Sequence, residues 1–224
     1  MANLDQWCFA WFEASQAQGQ DRAGLWLASR WPPGVTITVS FLDGDPALHA
    51  RIAPIARQWT APGRANLFID FRADTNDTHI RISFAHEGSW SVLGTTCLRI
   101  PRGEPTMNFG WLKPGSSDAE LERVVLHEFG HALGLVHEHQ LPAGGILWDK
   151  DAVYADLEPR WSRQKIDQNL FATVDPAEAA MTNLDPHSIM MYPIKKSWTR
   201  NGFSTALNTK LSPIDIAFIH NMYS

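Results

Sequence analysis

The sequence, 224 residues long, predicts an α+β fold built as two lobes. Three observations predict it. Short segments of alternating apolar and polar residues interleave with an amphipathic helix up to residue 111, which reads as a twisted, mostly parallel sheet with helices. One long helix with a capping signal follows near 117–133. Beyond residue 137 the pattern is irregular and closes on a single helix. The expected organisation is a helical extension over 1–34 and a catalytic domain over 35–224. That domain divides into an upper lobe, 35–137, and a lower lobe, 138–224.

Each element has its own signal. Residues 4–14 and 23–30 read as helices, the first rich in Trp and Phe. Pro32-Pro33-Gly34 breaks the chain before the sheet. Val35 to Phe41 alternates apolar and polar and predicts a strand. Asp43-Gly44-Asp45-Pro46 is a turn, and Leu48, Ile52, Ile55, Ala56 and Trp59 then mark one face of a helix. Strands are expected over 66–71, 79–84 and 106–111, with loops or a short strand pair over 88–95. Ser117-Asp118-Ala119-Glu120 has the spacing of a capping box, and Leu121, Val124, Val125, Leu126, Phe129, Ala132 and Leu133 supply the buried side of the helix it opens. Helical pieces are expected near 149–157 and 161–171, and a closing helix over 213–223.

Composition narrows the function. Apolar residues make up 44% of the chain, so a packed core is expected rather than disorder. A formal charge of −5 speaks against a general nucleic-acid binder. No apolar run reaches membrane-spanning length. The first residues, Met1-Ala2-Asn3-Leu4-Asp5, lack a basic n-region, so a cytoplasmic setting or leaderless export is expected. Two cysteines, Cys8 and Cys97, either form one disulfide or remain thiols, and the absent leader favours thiols. Nothing around Cys8 resembles a latency segment.

The chemistry is concentrated in His127-Glu128-Phe129-Gly130-His131-Ala132-Leu133-Gly134-Leu135-Val136-His137, which reads H-E-x-x-H-x-x-G-x-x-H. Residues four apart share a helix face, so His127 and His131 can grip one metal ion. Glu128 flanks the site as a base for water. Gly134 allows a positive φ, and the turn it makes can return His137 as a third ligand. Three protein ligands leave a position open for water, as in catalytic zinc sites.

Further on, Ser188-Ile189-Met190-Met191-Tyr192 reads S-x-M-x-Y. With this second element the chain resembles the metzincin zinc endopeptidases, whose long zinc motif is followed by a methionine turn beneath the metal. Glu138 after the third His, the run His137-Glu138-His139, the Tyr two places after Met190, and Leu211-Ser212-Pro213-Ile214-Asp215 all resemble the astacin branch. The resemblance runs from about residue 35 to the end. It implies one zinc ion on His127, His131 and His137. It implies Tyr192 as a further ligand that leaves the metal to hydrogen-bond the oxyanion, and Met190 as an apolar floor. It also implies a buried partner for Glu138. The chain departs from the branch at Met191, where astacins carry His, and in having two cysteines rather than two disulfides.

The expected activity is zinc-dependent endopeptidase chemistry, with Glu128 and Tyr192 catalytic and a protein or peptide substrate bound in extended form to a monomer. A zinc-retaining peptide-binding module and an amide hydrolase for a non-protein substrate are the alternatives. Residues 106–110 are expected to offer a sheet edge for the substrate. Lys195 and Lys196, just after the methionine turn, are expected to point to solvent on a loop, with attraction of an acidic residue after the cut as the other reading.

Overall fold

The computed structural model describes residues 8–11, 25–73, 77–140, 145–158, 160–173, 179–180 and 183–224. Its strands are β1 (Cys8–Trp11), β2 (Leu25–Trp26), β3 (Thr36–Phe41), β4 (Phe68–Phe71), β5 (Ile80–Ser83), β6 (Ser89–Val92), β7 (Met107–Phe109) and β8 (Ala179–Ala180). Its α-helices are α1 (Pro46–Ala56), α2 (Asp118–Ala132), α3 (Lys150–Leu157), α4 (Arg163–Ile166) and α5 (Pro213–Tyr223). The main sheet has the order β1-β6-β7-β5-β3-β4. Strands β7, β5, β3 and β4 run parallel, β6 is antiparallel to β7, and β1 runs parallel to β6. The mostly parallel sheet is therefore present, with its reversed strands at one side.

Helices α1 and α2 pack together beside this sheet. Ile37 and Val39 on β3, Ile82 on β5, and Met107 and Phe109 on β7 are fully buried with Leu121, Val125 and Phe129 of α2. A parallel sheet covered by helices buries its strands on both faces, so the polar residues that alternate with the apolar ones, among them Thr38, Ser40, Ser83 and Asn108, are buried as well. A second core lies in the irregular lobe. Val153, Leu157, Trp161, Ile166, Leu170, Ile194 and Trp198 form it. The methionine turn straddles the two: Ile189 and Met190 join the first core, Met191 and Tyr192 the second. Helix α5 returns to the first core through Ile219 and Tyr223, whose hydroxyl donates to the Leu133 carbonyl at 2.6 Å.

Three expectations are corrected. Residues 8–11, within the expected helix 4–14, form a strand, because the open side of β6 offers backbone partners that override local periodicity. The other residues of that helix lie outside the described ones. In 23–30, Leu25 and Trp26 pair with Ala180 and Ala179, and Leu27–Ser29 is a 3-10 turn. The expected substrate edge at 106–110 is not an edge: β7 sits between β6 and β5, with both sides of its backbone engaged. The serine-rich β6 hid this, since Ser89-Trp90-Ser91 leaves loop and short strand pair both open, although all of β6 is a buried strand. Asn108 ties β7 to the loop before β6 through Nδ2 bonds to the carbonyls of His86 and Gly88.

Candidate metal centre

Helix α2 starts where Ser117 accepts a hydrogen bond from the Glu120 amide at 3.2 Å. The reciprocal Glu120 bond expected of a full capping box is not formed among the described residues. From Val124 to Ala132 every residue of the helix is buried, and Val124 also lines the cleft described below. The helix ends in a Schellman motif. The Gly134 amide donates to the His131 carbonyl and the Leu135 amide to the Gly130 carbonyl, with Gly134 at φ 91°. The predicted turn is therefore formed at the predicted glycine, and it brings His137 back beside the helix.

Ligand-capable nitrogens of His127, His131 and His137 lie within 4.8 Å of one another, and all three side chains are buried. His127 Nδ1 meets the Ile189 carbonyl at 2.7 Å, and His131 Nδ1 meets the Leu135 carbonyl at 2.7 Å. A carbonyl only accepts, so each Nδ1 carries the proton and each Nε2 keeps a lone pair. His127 Nε2 is buried and has no hydrogen-bond partner among the described residues. His131 Nε2 and His137 Nε2 are 3.2 Å apart. Burial, the largest influence, pushes His131 down to about 4 and holds His127 and His137 well below the usual imidazole range. Neutral imidazoles converging in a dry site, one with an orphaned nitrogen, fit a zinc ion.

Glu128 is fully buried, and it lines a cleft together with His127 and Tyr192. The Tyr192 ring lies 4.2 Å from the His137 ring and 4.6 Å from the His139 ring, centre to centre. All five residues expected at the centre are thus brought together. His139 is fixed by its Nε2 contact to the Asn169 carbonyl at 2.8 Å.

The methionine turn is held from below. Asp215 accepts from Ser188 Oγ at 2.7 Å, from the Ile189 amide at 2.8 Å and from the Ser212 amide at 2.9 Å. Ser212 and Asp215 also form the reciprocal capping box of α5. Glu138 finds a backbone partner: its Oε1 accepts from the Asp185 amide at 2.8 Å, while burial raises its pKa to about 7.

Sequence reasoning missed Gly130. A Cβ there would lie 2.4 Å from Met190 Sδ, so the glycine makes room for the turn methionine against the zinc-motif helix. It also missed Arg123, which lines the cleft one turn before His127. The i, i+4 spacing from Arg123 to His127 was the available signal. Of the two lysine readings, the solvent-facing one fits, since both lysines are exposed. Lys195 pairs with Asp156 at 2.5 Å and lies over the Trp198 ring, and neither it nor Lys196 lines the cleft. Cys97 is a free, buried thiol, and the side chain of Cys8 lies outside the described residues.

No protein-family model and no curated protein matches the chain. Solved structures do. One structure of myroilysin has a TM-score of 0.84 and 41% identity, covering 89% of this chain and 97% of that one. A crystal structure of myroilysin has a TM-score of 0.64 and 39% identity, covering 93% and 92%. High choriolytic enzyme 1, a hatching enzyme zinc-protease from Oryzias latipes (Medaka fish), has a TM-score of 0.60 at 16% identity, covering 88% and 94%, a likeness of fold alone. With that identity to myroilysin across nearly its whole length, and with the zinc motif and methionine turn in place, the chain belongs to the astacin-like metzincins.

Proposed function

We infer that this protein is a zinc-dependent endopeptidase that cleaves a peptide chain laid in extended form across the cleft. The observation that carries it is the convergence of three neutral imidazoles beside Glu128. His127, His131 and His137 would hold the ion. When bound, zinc polarises the scissile carbonyl and lowers the pKa of its water to about 7. Glu128 takes a proton from the attacking water and passes it to the leaving amine. Tyr192 donates a hydrogen bond to the carbonyl oxygen as negative charge develops there. Its ring packs near His137 and His139 and lines the same cleft as Glu128. Met190 gives the imidazoles an apolar floor. A binding module without turnover is not favoured, since it has no need of both Glu128 and Tyr192. Among the described residues no helix is long and apolar enough to cross a membrane.

The test is zinc content with turnover. Glu128→Ala retains one zinc per chain and loses about 10²–10⁴-fold in kcat, because it removes a base and no ligand. Absence of stoichiometric zinc after loading, or undiminished turnover in Glu128→Ala, overturns the reading.

A further inference from the structure

We propose that His139 is a positioning residue: its buried imidazole is the plate that sets the Tyr192 ring for the hydrogen bond its hydroxyl gives to the carbonyl oxygen. The proposal rests on the endopeptidase reading and adds a residue to that site. His139 lies two residues past the third ligand, in the 3-10 turn Glu138–Gln140, and is 3% exposed. Its ring is stacked on that of Tyr192, 4.6 Å away at 27°. The His137 ring is 4.2 Å from Tyr192 but tilted by 53°, so of these two only His139 presents a near-parallel face. A tyrosine ring turns about two side-chain bonds, and a flat neighbour against its face removes much of that freedom. Tyr192 lines the cleft and His139 does not, so His139 acts through Tyr192 and not on the substrate.

The plate is itself anchored. The Asn169 carbonyl only accepts, so His139 Nε2 carries the proton and donates to it at 2.8 Å. Asn169 belongs to the π-helical stretch Asp167–Phe171, and its own Nδ2 donates to the Lys165 carbonyl at 2.8 Å. The neighbouring Gln140 is buried as well, and its Nε2 donates to the Gln168 carbonyl at 3.1 Å. Two consecutive side chains thus tie the turn to two consecutive carbonyls, and Trp148 meets the His139 ring edge-on at 6.3 Å. One cost remains. His139 Nδ1 is buried with no hydrogen-bond partner among the described residues. A bare buried acceptor is destabilising, and an apolar ring would avoid it. Packing alone therefore does not call for histidine here. A flat ring whose edge must be pinned to a carbonyl does.

The experiment compares wild type, His139→Gln and His139→Phe, each also combined with Tyr192→Phe. His139→Gln removes the plate and lowers kcat about 10–100-fold, the scale of a misplaced catalytic group, with KM changed less than about 2-fold. His139→Phe keeps a flat ring and recovers most of that loss. In the Tyr192→Phe background His139→Gln has no further effect on kcat, because its effect passes through the missing hydroxyl. A readout without turnover is NMR of zinc-loaded protein labelled on its tyrosine rings. The chain has three tyrosines, and the Tyr192 signal is the one that Tyr192→Phe removes. That signal carries the ring-current shift of a stacked neighbour. It moves toward the free-tyrosine value in His139→Gln and stays near wild type in His139→Phe. Competition against a chelator gives the same zinc affinity for every variant. Where His139→Gln fails to fold, His139→Leu, apolar but not flat, replaces it against His139→Phe. An unmoved Tyr192 signal, a His139→Phe protein no better than the Gln or Leu variant, or losses that multiply with Tyr192→Phe overturn the proposal while the protease reading stands. Zinc loss that accounts for the fall in kcat assigns His139 to holding the metal and also overturns it. No cleavage of any peptide by wild type overturns both readings.

Discussion

Asp215→Ala tests how the far lobe supports the metal centre. Asp215 is 5% exposed and takes three hydrogen bonds, from Ser188 Oγ and the amides of Ile189 and Ser212. Alanine leaves two buried amides and one hydroxyl to be re-paired. Buried donors left unsatisfied cost about 1–3 kcal/mol each, so the three together, partly re-paired, cost about 3–5 kcal/mol. At about 2–4 °C per kcal/mol for a chain this size, the thermal midpoint falls by roughly 6–20 °C. The effect extends to the metal, because the Ile189 carbonyl orients His127. Zinc affinity is expected to weaken about 10–100-fold. Asp215→Asn is the milder control. Its carbonyl oxygen replaces the acceptor for both amides, and its NH₂ donates to Ser188 Oγ.

The two variants also separate by pH. Burial is the largest influence on Asp215 and raises its pKa, against the three donors that lower it. A raised folded pKa means the protonated form is the one favoured by folding. That contribution is full below the unfolded value of about 4 and is lost as pH rises through the folded pKa. Asn has no such proton, so its stability relative to wild type improves as pH increases. Thermal unfolding with and without zinc, and competition of each variant against a chelator, measure all of this. An unchanged midpoint and unchanged zinc affinity in Asp215→Ala, or equal losses in the Ala and Asn variants, would refute the reasoning.

Two further outcomes follow from single side chains. Tyr192→Phe keeps the ring packing and zinc content and lowers kcat about 10–1,000-fold with little change in KM; unchanged kcat in steady-state assays returns Tyr192 to a packing role. Cys97 has its thiol pKa pushed up to about 12 by burial, so at neutral pH it should resist alkylation in the native protein and react on unfolding; rapid native labelling in a peptide map would show that the thiol is accessible.

The centre was legible because its ligands are local. His127, His131 and Gly134 act through helix periodicity and one Schellman turn, both of which appear in spacing alone. Helix α5 was legible too, since Leu211-Ser212-Pro213-Ile214-Asp215 carries a cap, a proline and a carboxylate at the right offsets. What stayed hidden depends on long-range pairing. Ser89-Trp90-Ser91 leaves loop and short strand pair both open until β1 and β7 take its two sides, and the order of strands decides which one is central. The lysines after the methionine turn meet the same limit. Their position near Tyr192 in sequence says nothing of Asp156, which draws Lys195 away. Arg123 was readable from its spacing to His127, but only the shape of the cleft identifies it as a wall.

The Ile189 carbonyl has a consequence for when the site can form. All three imidazoles are made in one short stretch of chain, so a nascent segment ending soon after His137 already holds every histidine ligand. Their orientation is another matter. The carbonyl that sets the His127 tautomer lies 62 residues further on, and Asp215, which braces its segment, lies 26 residues beyond that. Closing such loops costs chain entropy before any contact rewards it. The ligands are therefore synthesised early and aimed late. Metal that meets the partial chain finds donors without their final geometry, and the ordered centre appears only when almost the whole domain has been made.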